Sequence, residues 1–492
     1  MSEGGSGKEA AGDGHAEALE AVIGLEIHVQ LATATKMFCG CELSFGEPPN
    51  TRTCGVCLGL PGSLPVANER AIHFGLMIGL AVGSELAPRS IFHRKNYFYP
   101  DQAKNYQISQ YDEPLCRGGS LDQVRIHRVH LEEDAAKLIH VGSSGRIHGS
   151  DVSLVDFNRA GTPLAEIVSE PDLRTPEQAS EWLKLLRTTL RRLGVSDVNM
   201  EEGSLRCDAN ISLRKAGTSD LGVKTELKNM NSFRFIERGI RAEIDRQRKI
   251  LEGGGLITQE TLHFDPASGA LTSLRSKEEA HDYRYFPEPD LLPVAIDDEM
   301  IALAREAMPE LPAERAARLQ ELDLTAESAQ RLAFADELGD YFEAALAAAV
   351  DPSPPAQMLA NWLTGDLVAR LGDGEDPLAS RVRPAALAGL VGLLAARRLS
   401  VGAARQVLDR LVAEGGEPQA IVDAEGLAAI NGGDALSAIV ADALRANADA
   451  AERVREGNAK AIGPIVGHVM RETKGRADGT EVSRLIHEQL GV

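Results

Sequence analysis

The sequence lacks the features that mark secreted and membrane-spanning proteins. Its first twenty residues, MSEGGSGKEAAGDGHAEALE, contain no apolar segment resembling a signal peptide. No later stretch offers about 18 consecutive apolar residues. We therefore expect a cytoplasmic protein. Residues 1–20 are rich in Gly, Ala and Glu, and we expect them to be a disordered extension.

The sequence also lacks the common signatures of nucleotide binding and serine hydrolysis. It contains no G-x-x-x-x-G-K-[ST], no G-x-G-x-x-G after a strand, and no G-x-S-x-G. A nucleotide, if one binds, is then held by another arrangement. The net charge of -21 argues against a protein that coats nucleic acid non-specifically, but it does not exclude a local basic surface.

Cysteine is scarce, but four of the six cysteines are clustered. They form a C-x-C pair and a C-x-x-C pair, Cys39, Cys41, Cys54 and Cys57. Two such pairs can bring four thiolates to one tetrahedral ion, which for an all-sulfur site is usually zinc. A disulfide needs an oxidising compartment, so a cytoplasmic location favours the metal.

Strands dominate the first part of the chain, and two of them combine an apolar face with a charged one. In VIGLEIHVQL, residues 22–31, apolar residues alternate with Glu26, His28 and Gln30. SLRCDANISLR, residues 204–214, repeats this design with Arg206 and Asp208 on its polar face. After about residue 293 the pattern changes to Ala, Leu, Glu and Arg at helical spacing.

Further acidic residues lie in NMEEGS and RVHLEED, so three segments could deliver carboxylates to one cavity. Carboxylates with one or two imidazoles and no cysteine suit a hard cation such as magnesium, and magnesium suggests nucleotide chemistry. The alternative is that each polar face is the solvated side of an antiparallel sheet.

Two further segments offer contacts for phosphate. The first is PGSLP, which contains Ser63. The second is KTELKNMNSFRF, which supplies Lys224 and Lys228 and in which a helix is predicted to begin at Asn231 or Ser232. Ordinary helix capping explains the second segment equally well.

Aromatic residues make up only 4% of the chain, yet four of its seven tyrosines lie in RKNYFYPDQAKNYQISQYD, residues 94–112. Clustered tyrosines beside cations such as Lys104 can stack unpaired bases while the cations meet phosphates. Aromatic residues also fill cores, so this feature alone does not decide between the two roles.

Longer motifs identify a family resemblance that runs from about residue 21 to the C-terminus. GLEIHVQL, RKNYFYPD, KNYQISQYD, HLEEDAAK, NRAGTPLAEIVSEPD, GVSDVNMEEGSLRCDANISLR, ELKNMNSFR and DYRYFPEPDLLP resemble the B-subunit family (GatB) of the aspartyl/glutamyl-tRNA amidotransferases. The final segment, GNAKAIGPIVGHVMRETKGRADGTEVSRLIHEQL, resembles the tail domain of that family.

The resemblance implies an α+β fold class. After the extension that composition predicts to be disordered (1–20), the resemblance predicts a catalytic cradle with an antiparallel β-sheet and flanking helices (21–307), a helical domain (308–412) and a small helical tail that binds tRNA (413–492).

The implied activity is ATP-dependent amidation of Glu-tRNA(Gln) and Asp-tRNA(Asn). The side-chain carboxylate is phosphorylated by ATP and the phosphate is displaced by ammonia. The implied partners are an amidase-type A subunit, which supplies the ammonia, and a small C subunit, in a heterotrimer.

The resemblance then assigns roles to the candidate residues. We expect the catalytic, magnesium-binding set to be Glu26, His28, Glu132, Glu133, Glu202 and Asp208. ATP phosphates are assigned to Arg206, Lys224, Lys228 and Ser63. The tRNA acceptor end is assigned to Tyr97, Tyr99, Lys104 and Tyr106. Zinc is assigned to Cys39, Cys41, Cys54 and Cys57. Its role is expected to be structural and not catalytic, because some family members lack these cysteines.

Two other functions are compatible with parts of the sequence. One is a non-catalytic, zinc-stapled scaffold that binds tRNA, in which the acidic strands are only solvated sheet. The other is a zinc hydrolase using Glu26 and His28, but three convincing zinc ligands outside the cysteines are missing from the sequence. ATP hydrolysis stimulated by misacylated tRNA separates both from the amidotransferase.

Overall fold

The computed structural model describes residues 18–44, 46–142, 150–276, 283–372, 375–430, 434–473 and 475–492. Most of the predicted disordered extension, residues 1–17, lies outside these ranges. The chain divides into two compact units, Met1–Leu311 and Pro312–Val492.

The first unit contains the strands, because the period-two patterns lie there. In chain order they are β1 (Leu19–Gln30), β2 (Glu85–Leu86), β3 (Arg89–Ser90), β4 (His93–Asn96), β5 (Tyr106–Ser109), β6 (Cys116–Arg117), β7 (Ser120–Leu121), β8 (Val124–Glu133), β9 (Lys137–Gly142), β10 (Ser150–Asp156), β11 (Pro163–Ser169), β12 (Leu205–Lys215), β13 (Thr225–Met230), β14 (Glu260–Phe264), β15 (Leu271–Ser276), β16 (Phe286–Pro287) and β17 (Val294–Ala295). Its helices are α1 (Glu69–Ala81), α2 (Pro176–Arg192), α3 (Phe233–Glu252) and α4 (Asp298–Glu306).

One large sheet forms the centre of this unit, with the strand order β15-β14-β13-β12-β1-β11-β8-β6-β2 and β7 paired to β8. Its pairs are antiparallel except for β13 and β14, which run parallel. The 20-residue α3 lies between these two strands and returns the chain to the end where β13 began. The predicted α+β class is confirmed, and the sheet is mixed at this one crossover.

The apolar face of the sheet packs against helices. Ile23, Leu25, Ile27 and Val29 of β1 are at most 1% exposed and form one core with buried side chains of α1, α2 and α3. Burying one face in this way leaves the alternating residues of β1 on the opposite face.

Local signals set the helix boundaries. The side chain of Thr175 accepts the N–H of Gln178 in a capping box, and Pro176 begins α2, as predicted from the sequence. Ser232 caps α3 by accepting the N–H of Phe235. These caps fix the residue at which each helix begins and therefore where the preceding loop ends.

The second unit is helical. Its α-helices are α5 (Pro312–Gln320), α6 (Ala326–Ala333), α7 (Asp336–Leu346), α8 (Ala356–Asn361), α9 (Pro384–Ala395), α10 (Val401–Glu414), α11 (Pro418–Glu425), α12 (Asp434–Ala446), α13 (Ala448–Arg455), α14 (Gly463–Glu472) and α15 (Gly479–Leu490). It has two hydrophobic cores, one built from Ala316 to Leu427 and the other from Leu436 to Leu490. Within the described ranges of either unit, every helix is too short or too polar to span a bilayer.

Candidate active site

The polar face of the central sheet aligns charged residues from four neighbouring strands. Arg206 of β12 is the Cα partner of His28 of β1, which is the partner of Glu166 of β11, which in turn is the partner of His130 of β8. Side chains directly opposite one another across antiparallel strands lie within contact distance. The register therefore creates a row of charged and imidazole groups across the sheet.

The centre of this row is a cluster of two histidines and two glutamates. His28 Nε2 lies 3.7 Å from Glu132 Oε1 and 3.6 Å from Glu166 Oε2. His130 Nε2 lies 3.2 Å from Glu166 Oε2 and 3.9 Å from Glu132 Oε2. His130, Glu132 and Glu166 are buried, while His28 is 21% exposed at its side chain. His28 is therefore the member of the cluster that is most accessible from the polar face of the sheet.

The pKa of Glu166 lies well below its usual range. Burial raises the pKa of this carboxyl, but the charge and hydrogen bond of His130 and the charges of His28 and Lys95 lower it by more. The carboxylate is therefore held ionised, the form that binds a cation. For Lys95, burial lowers the ammonium pKa, but Tyr285, Glu132 and Glu166 together raise it.

A second group of contacts surrounds Asp134, just beyond the end of β8. Its Oδ2 accepts hydrogen bonds from Arg206 Nη2 at 2.9 Å and Gln30 Nε2 at 3.2 Å, and lies 3.6 Å from Arg159 Nε. Burial raises the pKa of Asp134, but the charges of Arg206 and Arg159 lower it below its usual range overall. Asp134 thus fixes two guanidinium groups beside the histidine and glutamate cluster.

A third group lies on the other side of β1. Lys228 Nζ lies 3.1 Å from Asp208 Oδ2 and 3.2 Å from Glu226 Oε1. Nearby, Asn210 Nδ2 donates to Glu26 Oε1 at 2.8 Å. Burial lowers the pKa of Lys228, but the charges of Asp208 and Glu226 raise it overall. The Lys228 ammonium group is therefore held, in its charged form, between the carboxylates of Asp208 and Glu226.

Two cavities open beside the cluster and share His28, Lys95, Glu132 and Lys228 in their walls. The larger has a volume of about 640 Å³ and is also lined by Arg206. The smaller has a volume of about 240 Å³. A reacting group placed between them would meet the cluster from either side.

Three tyrosines and Lys95 line the smaller cavity. Tyr111 and Tyr285 stack with ring centroids 4.4 Å apart, and Lys95 Nζ lies 4.8 Å from the ring centroid of Tyr283. The cavity therefore combines aromatic walls with a cation and the charged cluster.

The six predicted magnesium residues lie in four different places. His28 and Glu132 lie in the cluster, while Glu26 and Asp208 lie beside it, around Asn210 and Lys228. Glu202 is exposed and lines the larger cavity from the loop before β12.

Glu133 is engaged elsewhere. It pairs with Lys104, and its Oε1 accepts the N–H of Ile108 at 2.9 Å. Successive residues of a strand point to opposite faces, which separates Glu133 from Glu132.

The predicted phosphate residues are divided as well. Arg206 and Lys228 line the larger cavity, whereas Lys224 lines a separate cavity of about 220 Å³ that it shares with Glu26. Ser63 donates its hydroxyl to the carbonyls of Gly55 and Leu60, within the loop that carries the cysteines.

The predicted acceptor-end residues also differ in position. Tyr97 lines the larger cavity, and its hydroxyl accepts a hydrogen bond from Gln102 at 2.7 Å. Tyr99 is 45% exposed. The ring of Tyr106 lies 4.2 Å from the guanidinium carbon of Arg94. Lys104 is paired with Glu133, so Tyr97 is the member of this set that lines the cavity beside the charged cluster.

The cluster fits a hard divalent cation. His28, Glu132 and Glu166 each offer one ligand atom, and these three atoms lie within 4.8 Å of one another. One imidazole with two carboxylates suits magnesium better than zinc, which prefers sulfur and nitrogen. The donor set therefore fits the predicted metal, although it includes a glutamate that the sequence prediction omitted.

The four cysteines fit zinc. Their sulfur atoms all lie within 4.8 Å of one another, and those of Cys54 and Cys57 are 3.9 Å apart. A regular tetrahedron with Zn–S distances of about 2.3 Å has sulfurs about 3.8 Å apart. The hydrogen bond between Cys39 and Cys57 lowers the pKa of Cys57 to about 4 and raises the pKa of Cys39, and the charge of Lys36 further favours the Cys57 thiolate. Thiolate is the form that binds the metal.

Sequence reasoning missed Glu166 and Glu226 as site residues, and it identified Lys95 only as one of the cations beside the clustered tyrosines. Glu166 lies in PLAEIVS, where it is the only charged residue of a strand that is apolar apart from Ser169 at its end. That lone charge was the available signal. Glu226 had no comparable signal, since its strand TELKNM carries several polar residues.

Comparisons with known proteins agree on one family. Residues 21–302 match a family model described as the GatB/GatE catalytic domain, and residues 340–490 match one described as the GatB domain.

Curated relatives cover nearly the whole chain. The chain is 51% identical over 489 residues to a protein of Frankia casuarinae that is named as the B subunit of an aspartyl/glutamyl-tRNA(Asn/Gln) amidotransferase, with 96% of each chain covered. Proteins with the same name from Anaeromyxobacter sp. and Thermobifida fusca are each 48% identical, with 96% of this chain and 99% and 94% of theirs covered.

Proposed function

The chain belongs to the B-subunit family of the aspartyl/glutamyl-tRNA(Asn/Gln) amidotransferases, and we propose that its charged sheet face carries out the ATP-dependent step of that reaction. The enzyme is a glutamine-dependent ligase that converts Glu-tRNA(Gln) to Gln-tRNA(Gln), Asp-tRNA(Asn) to Asn-tRNA(Asn), or both. The observation that carries the proposal is the aligned row Arg206, His28, Glu166 and His130, with Glu132 beside it, at the wall shared by two cavities.

The reaction needs a site rich in both signs of charge. A side-chain carboxylate accepts ammonia only after an oxygen has been made a leaving group. The carboxylate oxygen attacks the γ-phosphorus of ATP and releases ADP, and ammonia then displaces phosphate from the acyl phosphate. Phosphoryl transfer of this kind depends on positioning and charge stabilisation more than on covalent help from the protein.

The cations of the larger cavity supply the charge stabilisation. Arg206 and Lys228 line it and are held in place by Asp134 and by Asp208 with Glu226. Both cations can turn donors toward phosphoryl oxygens without losing their anchoring carboxylates. We place the ATP phosphates here. Lys224 and Ser63 do not line this cavity, and their contact with phosphate remains a prediction.

The carboxylates and His28 would hold magnesium. The geometry favours His28, Glu132 and Glu166 as the ligands. Glu26 and Asp208 are partners in the neighbouring strand pair, and we propose that they bind magnesium at the nucleotide beside this group. Magnesium would neutralise the charge on the phosphates during transfer. Glu202 remains a predicted contributor from the exposed loop.

The cysteine loop would hold zinc for support. Lys36 beside Cys57 donates to the carbonyl of Phe157 at 3.1 Å, and Arg159 Nη2 donates to the carbonyl of Ala136 at 2.8 Å. These contacts join the cysteine loop to the segment around Asp134. Zinc would thereby stabilise the wall of the larger cavity without taking part in the chemistry.

The assembly and the RNA contacts follow from the family. We propose a cytoplasmic complex with an amidase-type A subunit that produces ammonia and a small C subunit. We further propose that Tyr97, Tyr99, Lys104 and Tyr106 contribute to the acceptor-end site, and that the expected tail, 413–492, contacts tRNA through the helices of its own core, Leu436 to Leu490. The first residues of that range, up to Leu427, pack in the preceding helical core. The named relatives do not favour the non-catalytic scaffold.

Amidation of Glu-tRNA(Gln) and Asp-tRNA(Asn), measured in parallel with the purified complex, tests the function. With ammonium chloride in place of glutamine, the amide should form only when ATP is present. A complex that binds both tRNAs but hydrolyses no ATP in response to them would instead behave as a scaffold.

A further inference from the structure

Positive charge is concentrated in one part of α2. Residues 182–192, WLKLLRTTLRR, contain four cations, Lys184, Arg187, Arg191 and Arg192, between the acidic residues Glu181 and Asp197, although the whole chain has a net charge of -21. Basic residues near the C-terminus of a helix favour its dipole, but that effect is confined to the last turn. Lys184 and Arg187 lie before the last turn of α2, so the dipole does not account for them.

An aromatic ring of α3 gathers these two cations. Lys184 Nζ lies 5.9 Å from the ring centroid of Phe233, and the guanidinium carbon of Arg187 lies 5.8 Å from it. Arg234 follows Phe233 directly and is exposed. We call Lys184, Arg187, Phe233 and Arg234 the basic rim.

The basic rim borders the mouth of the larger cavity. Arg187 Nε donates to the carbonyl of Val198 at 3.2 Å, and the loop that follows Val198 supplies Met200 and Glu202 to the cavity wall. Phe233 lies two residues after Asn231, which also lines the cavity. Two residues span at most about 7 Å, so the rim lies beside the mouth from both α2 and α3.

Two cations of the rim are available to an external anion. Lys184 and Arg234 are exposed, and within the described part of the chain neither has a carboxylate partner. The cations nearer the cluster differ, since Lys104 is paired with Glu133 and Lys228 with Asp208. A phosphate at the rim would not have to displace an internal partner.

We propose that the basic rim binds phosphates of the tRNA strand whose 3′ end enters the larger cavity. This inference rests on the proposed function, because that function places the aminoacyl end in the cavity. RNA carries one negative charge at each nucleotide, and cations that neutralise phosphates gain affinity by releasing counterions. A strand leaving the cavity mouth must pass over whatever borders it, and the rim supplies cations there. It would position the substrate without reading its sequence.

Charge reversal at the rim tests the proposal in the complete complex. The variants are Lys184→Glu and Arg234→Glu, singly and together. Arg248→Glu is the matched control, because Arg248 is exposed on the same helix about 21 Å farther along its axis. Neutral Lys184→Gln and Arg234→Gln serve if the reversed variants fold poorly, as judged by their melting temperature.

The double rim variant should raise the KM for Glu-tRNA(Gln) on the order of tenfold, while the KM for ATP and the kcat at saturating tRNA stay near wild type. In a KCl titration of tRNA binding, the slope of log Kd against log salt should fall by about one for each phosphate contact removed. Arg248→Glu should match the wild type in both measurements.

Equal KM values and salt slopes for the rim and control variants would overturn the proposal. So would a rim variant that loses a partner subunit while binding tRNA normally, since the rim would then meet an acidic protein. If the wild-type complex fails to amidate, the proposed function fails. The salt dependence of the Kd for tRNA still tests whether the basic rim binds phosphates, because that measurement requires no catalysis.

Discussion

Glu132 and Glu133 are adjacent on β8, and replacing each in turn with glutamine separates a catalytic role from a structural one. The sequence assigned both to magnesium, but their contacts differ. Glu132 lies against His28 and His130, whereas Glu133 pairs with Lys104 and accepts the N–H of Ile108. Glutamine keeps the size of the side chain and removes only its charge.

The structure sets the expected magnitudes for Glu133→Gln. The side chains of Glu133 and Lys104 are 4% and 10% exposed, so the substitution leaves a buried ammonium without its counterion. Breaking one side of a buried pair costs about 3–5 kcal/mol. For a unit the size of Met1–Leu311, an unfolding entropy of about 2.1 cal/mol/K per residue converts this cost to a fall in Tm of about 5–8 °C. Amidation at 25 °C should change by less than about tenfold, because the charged cluster remains intact.

Glu132→Gln should show the opposite pattern. It removes one of the two carboxylates beside His28 but keeps an oxygen that can accept from Ser109. Amidation should fall about 10²- to 10³-fold, as for the loss of one charge-stabilising group, with the Tm within about 2 °C of wild type. The assays are differential scanning calorimetry and ammonia-dependent amidation of Glu-tRNA(Gln). Full activity in Glu132→Gln, with lost activity at unchanged Tm in Glu133→Gln, would refute the division of roles.

Three further outcomes follow from the same contacts. His28→Ala should abolish ATP-dependent amidation and leave the melting profile unchanged; near-wild-type turnover would remove His28 from the site. Chelation of zinc should lower the Tm before it lowers kcat, with zinc content followed by atomic absorption; metal-free protein that melts at the same temperature would contradict the supporting role. In metal-free buffer, Glu166→Gln should be less stable than wild type at about pH 5, and this difference should shrink as the pH is lowered. Because the folded pKa of Glu166 is depressed, its stabilisation is complete above the unfolded value of about 4.3 and is lost as pH falls through the folded pKa. If urea titrations showed that the difference in unfolding free energy between wild type and Glu166→Gln grows toward low pH, the prediction would be contradicted.

Patterns within single segments predicted much of the first unit. The alternation around Glu26 and His28 gave β1 its apolar and polar faces, and the capping box at Thr175 gave the start of α2. These features depend on neighbours in sequence, where periodicity and capping chemistry act. The four cysteines lie together as their spacing predicts, because two short loops suffice to join them.

The composition of the cluster could not be predicted in the same way, because strand register is a long-range property. Glu166 meets His28 only because β11 pairs with β1 at that register, and a shift by one residue would turn it to the other face. The pairing of Lys104 with Glu133 likewise depends on β5 and β8 lying side by side. Local patterns identified residues able to do the chemistry, while pairing determined which of them meet.

The fate of the carboxylate oxygen tests the central claim most directly. Glu-tRNA(Gln) carrying ¹⁸O in its side-chain carboxylate is amidated by the complex, and the released phosphate is analysed by mass spectrometry. If ATP phosphorylates the carboxylate at this site, one ¹⁸O atom appears in each phosphate, and Glu132→Gln produces almost none. Amide formation with unlabelled phosphate, or undiminished labelled phosphate from Glu132→Gln, would contradict the account.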